Sequence, residues 1–282
     1  MCGLDVLIVS GMEKRAVIEL RNVYKAFDGV PVLEGLNLTV LEGETLVIIG
    51  RSGTGKSVTL KHIVGLLTPD HGKVLVLGRD LSTLGLKELL SLRLRIGYLF
   101  QGGALLNWLT IAENVALPLR EHRPELSEPE IRDIVDSKLR IVDMLHARDK
   151  LPEEVSGGMK KRAGLARAIV LDPSIILYDE PTSGLDPVMA NAINELVVHT
   201  KEVTGATQVV VTHDMQSAYC IADRIAMLYE GRIIEVGSPE QIKESTNPIV
   251  RQFVRGETKG PITDGESKPA LSEINVREGG SR

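Results

Sequence analysis

The eight residues Gly50-Arg51-Ser52-Gly53-Thr54-Gly55-Lys56-Ser57 follow directly on the apolar run Leu46 to Ile49 and precede the helix-competent stretch Val58 to Leu67. Their spacing, G-x-x-x-x-G-K-[ST], constrains the chain more than any other feature, because it requires a strand, a tight glycine turn and a helix start in succession. Glycines let consecutive backbone N–H groups turn inward around phosphate oxygens, and the helix N-terminus adds the positive end of its dipole. The pattern implies a bound nucleoside triphosphate. Arg51, Ser52, Gly53, Thr54, Gly55 and Val58 belong to its binding loop and helix start, Lys56 reaches the β- and γ-phosphates, and Ser57 reaches magnesium.

A second signal is Ser174-Ile175-Ile176-Leu177-Tyr178-Asp179-Glu180, an apolar strand that ends in adjacent carboxylates. Side chains alternate along a strand, so the two acids point in different directions and can take different roles. Beside a nucleotide, Asp179 sits near magnesium and Glu180 polarises the attacking water. In isolation the same segment reads as a strand end with two solvated acids. The third signal, Val155-Ser156-Gly157-Gly158-Met159-Lys160-Lys161-Arg162, opens a helix rich in Ala, Leu and Arg, with Ser156 as a good N-cap. Gln101 follows the apolar strand Ile96 to Phe100, Ser183-Gly184-Leu185-Asp186 follows the acidic strand, and His213 ends the strand Gln208 to Thr212.

In this order and spacing the motifs resemble those of ABC-type ATPases. The resemblance implies that Ser156, Gly157 and Gly158 contact the γ-phosphate, that Gln101 is a sensor touching magnesium, and that His213 is the switch histidine. It also implies that Phe27 stacks on adenine, where the residue-level alternative is core packing. Met159 departs from the usual Gln of the signature and leaves the intrinsic rate open. The catalytic set is then Glu180, His213 and Gln101, the magnesium set Ser57, Gln101 and Asp179, and the ligands ATP and Mg2+.

With 282 residues and 43% hydrophobic content the chain can bury a large core, and one phosphate loop implies one nucleotide-binding domain. Cys2 and Cys220 are too few for a disulfide framework, and Cys220 reads as a lone buried residue. A formal net charge of −5 argues against a nucleic-acid binder, and no apolar stretch approaches bilayer-spanning length, so any membrane work falls to a partner. Residues 1–16 read as a flexible leader without the marks of a secretory signal, with Met12 the expected initiator.

The fold expected is α/β: an ABC-type P-loop ATPase with a RecA-like parallel-sheet core, an antiparallel β subdomain and an α-helical subdomain. Antiparallel strands are expected at Val17 to Leu20, Leu36 to Val40 and Val74 to Leu77. The ATPase domain spans 17–246, with helices dominating about 104–170. There, Ser127-Glu128-Pro129-Glu130 is a capping box, and Ile131, Val135, Leu139, Val142 and Leu145 mark one amphipathic helix. Strands and helices then alternate, which implies a largely parallel sheet. A hairpin at Ala226 to Val236 turns at Glu230-Gly231, and a cap at Ser238 opens a short helix. Residues 247–282 form a C-terminal extension, with a helix over Asn247 to Gly256 and a mostly disordered tail from 257.

The stretch Phe100 to His122, the Met159 signature with its basic residues, the Arg51-Ser52-Gly53-Thr54 loop and the segment Asn247 to Gly256 look like the ATPase subunit of Mla-type lipid transporters. That resemblance implies a homodimer on the cytoplasmic face of the inner membrane, peripheral, working with permease subunits and an MCE-domain lipid-binding protein. Ala104, Leu105, Leu106, Trp108 and Leu109 form the expected permease socket, with subdomain core the alternative for Leu105 and Leu109 and a buried anchor the commoner state for Trp108. Lys160-Lys161-Arg162 reads as a solvated helix face. Two alternatives stay open: an ABC ATPase serving another hydrophobic solute, and a soluble scaffold ATPase like those of iron-sulfur assembly.

Overall fold

The computed structural model describes residues 15–263, and before them only the backbone of a two-strand pair, β1 (Ile8–Val9) and β2 (Met12–Glu13). Most of the leader, Cys2 and the tail from 264 lie outside the described residues. Two long strands, β3 (Ala16–Phe27) and β4 (Val30–Leu41), come next and are joined by the Asp28-Gly29 turn. β5 (Thr45–Ile49) runs through the phosphate loop into α1 (Lys56–Ile63). β6 (His71–Val76), β7 (Arg79–Asp80), α2 (Leu86–Arg93) and β8 (Ile96–Leu99) follow. The helical region holds α3 (Ile111–His122), α4 (Glu128–Ile141) and α5 (Gly157–Ala168). The chain then alternates through β9 (Ile175–Asp179), α6 (Pro187–Thr204), β10 (Thr207–Thr212), α7 (Met215–Ile221) and β11 (Arg224–Tyr229). It closes with β12 (Arg232–Gly237), α8 (Pro239–Lys243) and α9 (Pro248–Arg255).

The main sheet has the order β12-β11-β5-β10-β9-β8, parallel from β11 to β8 with β12 antiparallel at its edge. A strand covered on both faces is largely apolar along its middle, and every residue of β5, β9 and β10 is buried, with the polar ones at or next to the strand ends. Alternate residues serve separate cores. Val47, Ile49, Ile176 and Tyr178 belong to the core shared with the helices α3 to α7, whereas Leu46, Ile48, Ile175 and Leu177 belong to the core shared with α1 and the antiparallel sheet β4-β3-β6-β7.

Three expectations are corrected in shape. The helix after the phosphate loop stops at Ile63, because Gly65 at φ 69° turns the chain. α4 stops at Ile141, with Asp143 at φ 54° and Leu145 opening a short 3-10 turn, although Val142 and Met144 remain fully buried. The apolar spacing ran on because the same core continues past the helix end. Residues 257–263 are tied down: the Gln252 amide donates to the Glu257 carbonyl and to Thr263 Oγ1 (both 3.1 Å) and accepts from Ile262 N–H (2.8 Å).

Two single residues also differ. Cys220 is exposed. Trp108 is 75% exposed, because the loop around it is braced elsewhere: the buried Asn114 side chain accepts from Leu106 N–H (2.7 Å) and donates to the carbonyls of Leu106, Leu109 and Thr110 (3.0 Å each).

α5 approaches β8 closely at Gly97, where an added Cβ would lie 2.4 Å from the Ala168 carbonyl oxygen. Overpacking of this kind costs about 1–3 kcal/mol. Gly97→Ala is therefore expected to lower the unfolding free energy by that amount in urea titration, and an unchanged midpoint would show that the contact is slack.

Candidate nucleotide site

The site is assembled at the carboxyl edge of the parallel sheet. β5 delivers the phosphate loop there, and Gly53 (φ 82°) and Gly55 (φ 100°) take left-handed conformations that a side chain would strain. The Lys56 side chain folds back over the loop and is 6% exposed. Its ammonium donates to the carbonyls of Gly50 (2.8 Å) and Arg51 (3.0 Å) and lies 3.5 Å from Glu180 Oε1. Burial lowers the Lys56 pKa, and the Glu180 and Asp179 carboxylates oppose that shift.

β9 delivers the two acids to different positions. Ser57 Oγ donates to Asp179 Oδ1 (2.7 Å), and the Tyr98 hydroxyl donates to Asp179 Oδ2 (3.1 Å). Burial, and then the Asp179 charge, push the Tyr98 phenol pKa well up, so this group stays a donor. Glu180 follows at φ 49°, a left-handed conformation that is costly for a residue with a side chain. That turn sets its carboxylate against His213 Nδ1 (2.9 Å to Oε2) and Lys56. Gln101 Nε2 donates to Ser183 Oγ (3.2 Å), joining the loop after β8 to the loop after β9.

One cavity of about 410 Å³ has Phe27, Lys56, Ser57, Gln101, Glu180 and His213 on its walls together with Ser52, Gly53, Gly55 and Val58, whereas Asp179 and Tyr98 lie behind that wall. Phe27 is 40% exposed and lies outside both cores, with the Lys25 ammonium 5.6 Å from its ring centroid. Arg51 and Thr54 line the adjoining hollow on the outer side of the loop, together with Tyr229 and Ile262. Ser156, Gly157 and Gly158 are not on the cavity wall of their own chain. They form the start of α5, where Ser156 Oγ accepts from Met159 N–H (3.3 Å).

The donor set fits magnesium. Ser57 and Asp179 offer hard oxygens side by side, and no cluster of three or more His, Cys, Asp or Glu side chains suited to a metal occurs among the described residues. The remaining ligands would come from phosphate and water, as is usual for this ion.

A second hollow of about 810 Å³ opens between β8 and the helical region, lined by Leu90, Leu94, Tyr98, Phe100, Pro118 and Leu171. Of the apolar residues expected to form a socket, Ala104 is on its wall, whereas Leu105 packs against the helical core. Sequence reasoning missed Tyr98, whose aromatic character is ordinary for a strand. It also missed Lys161, which is 5% exposed and not on a solvated face. The signal for Lys161 was present, since Ala163, Gly164, Leu165 and Ala166 leave its helix little solvent-facing surface.

A parallel sheet with a phosphate loop, two carboxylates, a glutamine and a histidine at one edge defines a nucleoside-triphosphate hydrolase. Residues 33–183 match the ABC transporter family, and the chain belongs to it. The probable ribonucleotide transport ATP-binding protein mkl of Mycobacterium leprae is 43% identical over 91% of this chain and 74% of its own length. The intermembrane phospholipid transport system ATP-binding protein MlaF of Haemophilus influenzae is 41% identical over 87% of this chain and 93% of its own. The dimeric post-hydrolysis state of the ATP-binding cassette MJ0796 bound to ADP and Pi superposes with a TM-score of 0.72 at 34% identity, covering 79% of this chain and 98% of that one. The chain is an ATP hydrolase of this type.

Lys56→Ala removes the one ammonium aimed along the loop. Charge-assisted hydrogen bonds contribute about 1.5–3 kcal/mol, so the affinity for ATP is expected to fall by about tenfold or more in a fluorescent-nucleotide titration. Unchanged affinity would remove Lys56 from the phosphate site.

Proposed function

We propose that the chain is the ATP-hydrolysing subunit of a transporter that moves phospholipid or another lipid between membranes, as a peripheral homodimer under permease subunits and an MCE-domain protein. The observation that carries this reading is the near end-to-end likeness to the MlaF protein, which extends past the shared family region. No helix among the described residues is long and apolar enough to cross a membrane, which accords with a separate permease. The 810 Å³ hollow supports the docking part, since it presents aromatic and aliphatic walls beside the catalytic edge. The name of the mycobacterial relative supports a second reading, in which the cargo is a nucleotide.

In this mechanism ATP enters with its adenine on Phe27 and its phosphates in the loop, where Lys56 exchanges its carbonyl partners for β- and γ-oxygens. Ser57 and Asp179, with Gln101, would hold magnesium, which when bound offsets charge on the β- and γ-phosphates. Ser156, Gly157 and Gly158 of a second copy close over the γ-phosphate, their free N–H groups and the α5 dipole matching its charge. That the similar MJ0796 cassette is dimeric supports the presence of a second copy. Glu180 then accepts a proton from the attacking water, and His213 holds the carboxylate in place from 2.9 Å. Loss of the γ-phosphate removes the contacts that closed the dimer.

General-base removal costs about 10²–10⁴-fold, so Glu180→Gln is expected to lower turnover by that factor while ATP binding persists and a dimer accumulates. Turnover at the wild-type rate would overturn the assignment. The same variant, tagged and trapped with ATP in its own membranes, tests the transport reading. Recovery of a multi-span permease, an MCE-domain protein and bound phospholipid supports lipid transport. Recovery with a nucleotide-binding permease favours the second reading, and recovery with soluble cluster-assembly proteins alone overturns both.

A further inference from the structure

Lys161 lies three residues beyond Gly158 on α5, so it sits about 4.5 Å along the helix from the signature glycines. It is 5% exposed and, among the described residues, makes no ion pair within 4.0 Å. Its ammonium spends all three donors on main-chain carbonyls of one short segment: Ser183 (2.6 Å), Pro181 (2.8 Å) and Glu180 (3.3 Å). Burial of an ammonium is costly, and charge-assisted bonds to three convergent acceptors are what offset it. Burial lowers its pKa, against the opposing charge of Glu180.

The segment so held is the one that places the catalytic groups. Glu180 stands in a left-handed backbone at φ 49°, and Lys161 takes the carbonyl of that very residue. Ser183, held by the shortest of the three bonds, is also the hydroxyl that accepts from Gln101. One ammonium thus fixes the turn that aims the Glu180 carboxylate at His213 and the hydroxyl that seats Gln101.

We propose that Lys161 is a positioning residue for ATP hydrolysis, a strut that links the signature end of α5 to the Glu180–Ser183 turn and so couples each nucleotide site to its neighbour. On the reading proposed above, on which this rests, Ser156 to Gly158 close on the nucleotide of the second copy. A shift of α5 on that contact reaches the general base of its own chain through the lysine. The convergent carbonyls favour a compact point charge with three rotatable donors, which is what Lys provides and a planar guanidinium does not.

Lys161→Met keeps an unbranched side chain one atom shorter and removes the donors, and Lys161→Gln restores two of the three. The assembly is purified from its own membranes, ATPase rates are measured against ATP concentration, and nucleotide affinity is measured separately by fluorescence. The expected result for Lys161→Met is a kcat lower by about tenfold or more, with affinity within about twofold, a Hill coefficient reduced toward one, and part of the kcat restored in Lys161→Gln. A smaller fall in kcat, affinity and kcat falling in the same proportion, an unchanged Hill coefficient, or no gain from Gln would each overturn the proposal. If Lys161→Met does not fold, Lys161→Gln carries the same readouts, and loss of fold in both would reduce Lys161 to a structural residue and overturn it as well. Glu180→Gln separates the two claims: an inactive Glu180→Gln beside a fully active Lys161→Met sinks only the strut, whereas an active Glu180→Gln sinks the reading beneath it.

Discussion

Everything at the catalytic edge depends on the register of four parallel strands. Ile49 of β5 lies opposite Thr212 of β10, Val211 opposite Asp179 of β9, and Tyr178 opposite Leu99 of β8. Because these ends are nearly level, the residues that follow them, Gly50, His213, Glu180 and the Phe100-Gln101 pair, emerge together. Side chains alternate with a period of two, so a one-residue slip of β9 would carry Asp179 and Glu180 out of their places and turn its apolar set toward the wrong core. The two cores on opposite faces of the sheet resist that slip, since alternate residues of each strand are committed to different partners.

The site carries two buried ammonium groups, and both are satisfied mainly by backbone carbonyls. For Lys56 the partners are two loop carbonyls, with Glu180 at 3.5 Å. Those carbonyls are weaker acceptors than triphosphate oxygens, so an incoming nucleotide replaces neutral acceptors with charged ones while the lysine stays close to its place. Lys161 differs in that its three acceptors belong to one turn, of which Glu180 and Ser183 line the cavity, while the lysine itself is buried behind that wall. One lysine is therefore arranged for exchange and the other for holding.

What the sequence made legible was what rests on short-range pattern. The phosphate loop, the acidic strand end and the helix caps at Ser127, Ser156 and Ser238 need only neighbouring residues, and each appears where the pattern puts it. The relation of Gln101 to Ser183 and the pair Tyr98–Asp179 link segments about 80 residues apart, and no local rule reports them. Trp108 shows the same limit from the other side: a large aromatic in a loop implied an anchor, but the loop is held by the amide of Asn114, whose four bonds were invisible in the pattern. The apolar run through Val142 followed the core and not the helix, so burial was legible there and the helix end was not.

The helix α5 meets three parts of the mechanism, and its glycines remove the slack between them. Its N-terminus carries Ser156 to Gly158, its second turn carries Lys161, and its last turn carries Arg167, whose guanidinium donates to the carbonyls of Gly103 (2.9 Å) and Ala104 (2.8 Å) just beyond Gln101. At Gly164 an added Cβ would lie 2.9 Å from the Gly103 carbonyl oxygen, and at Gly103 it would lie 2.7 Å from that of Lys160. Backbones this close leave no room for the loop to move independently of the helix. The wall of the 810 Å³ hollow includes Ala104 and Arg167 as well as Tyr98, whose hydroxyl reaches Asp179. On the docking proposed above, a body seated in that hollow would press on the same unit that holds the turn at Glu180, and such coupling would need no flexible relay.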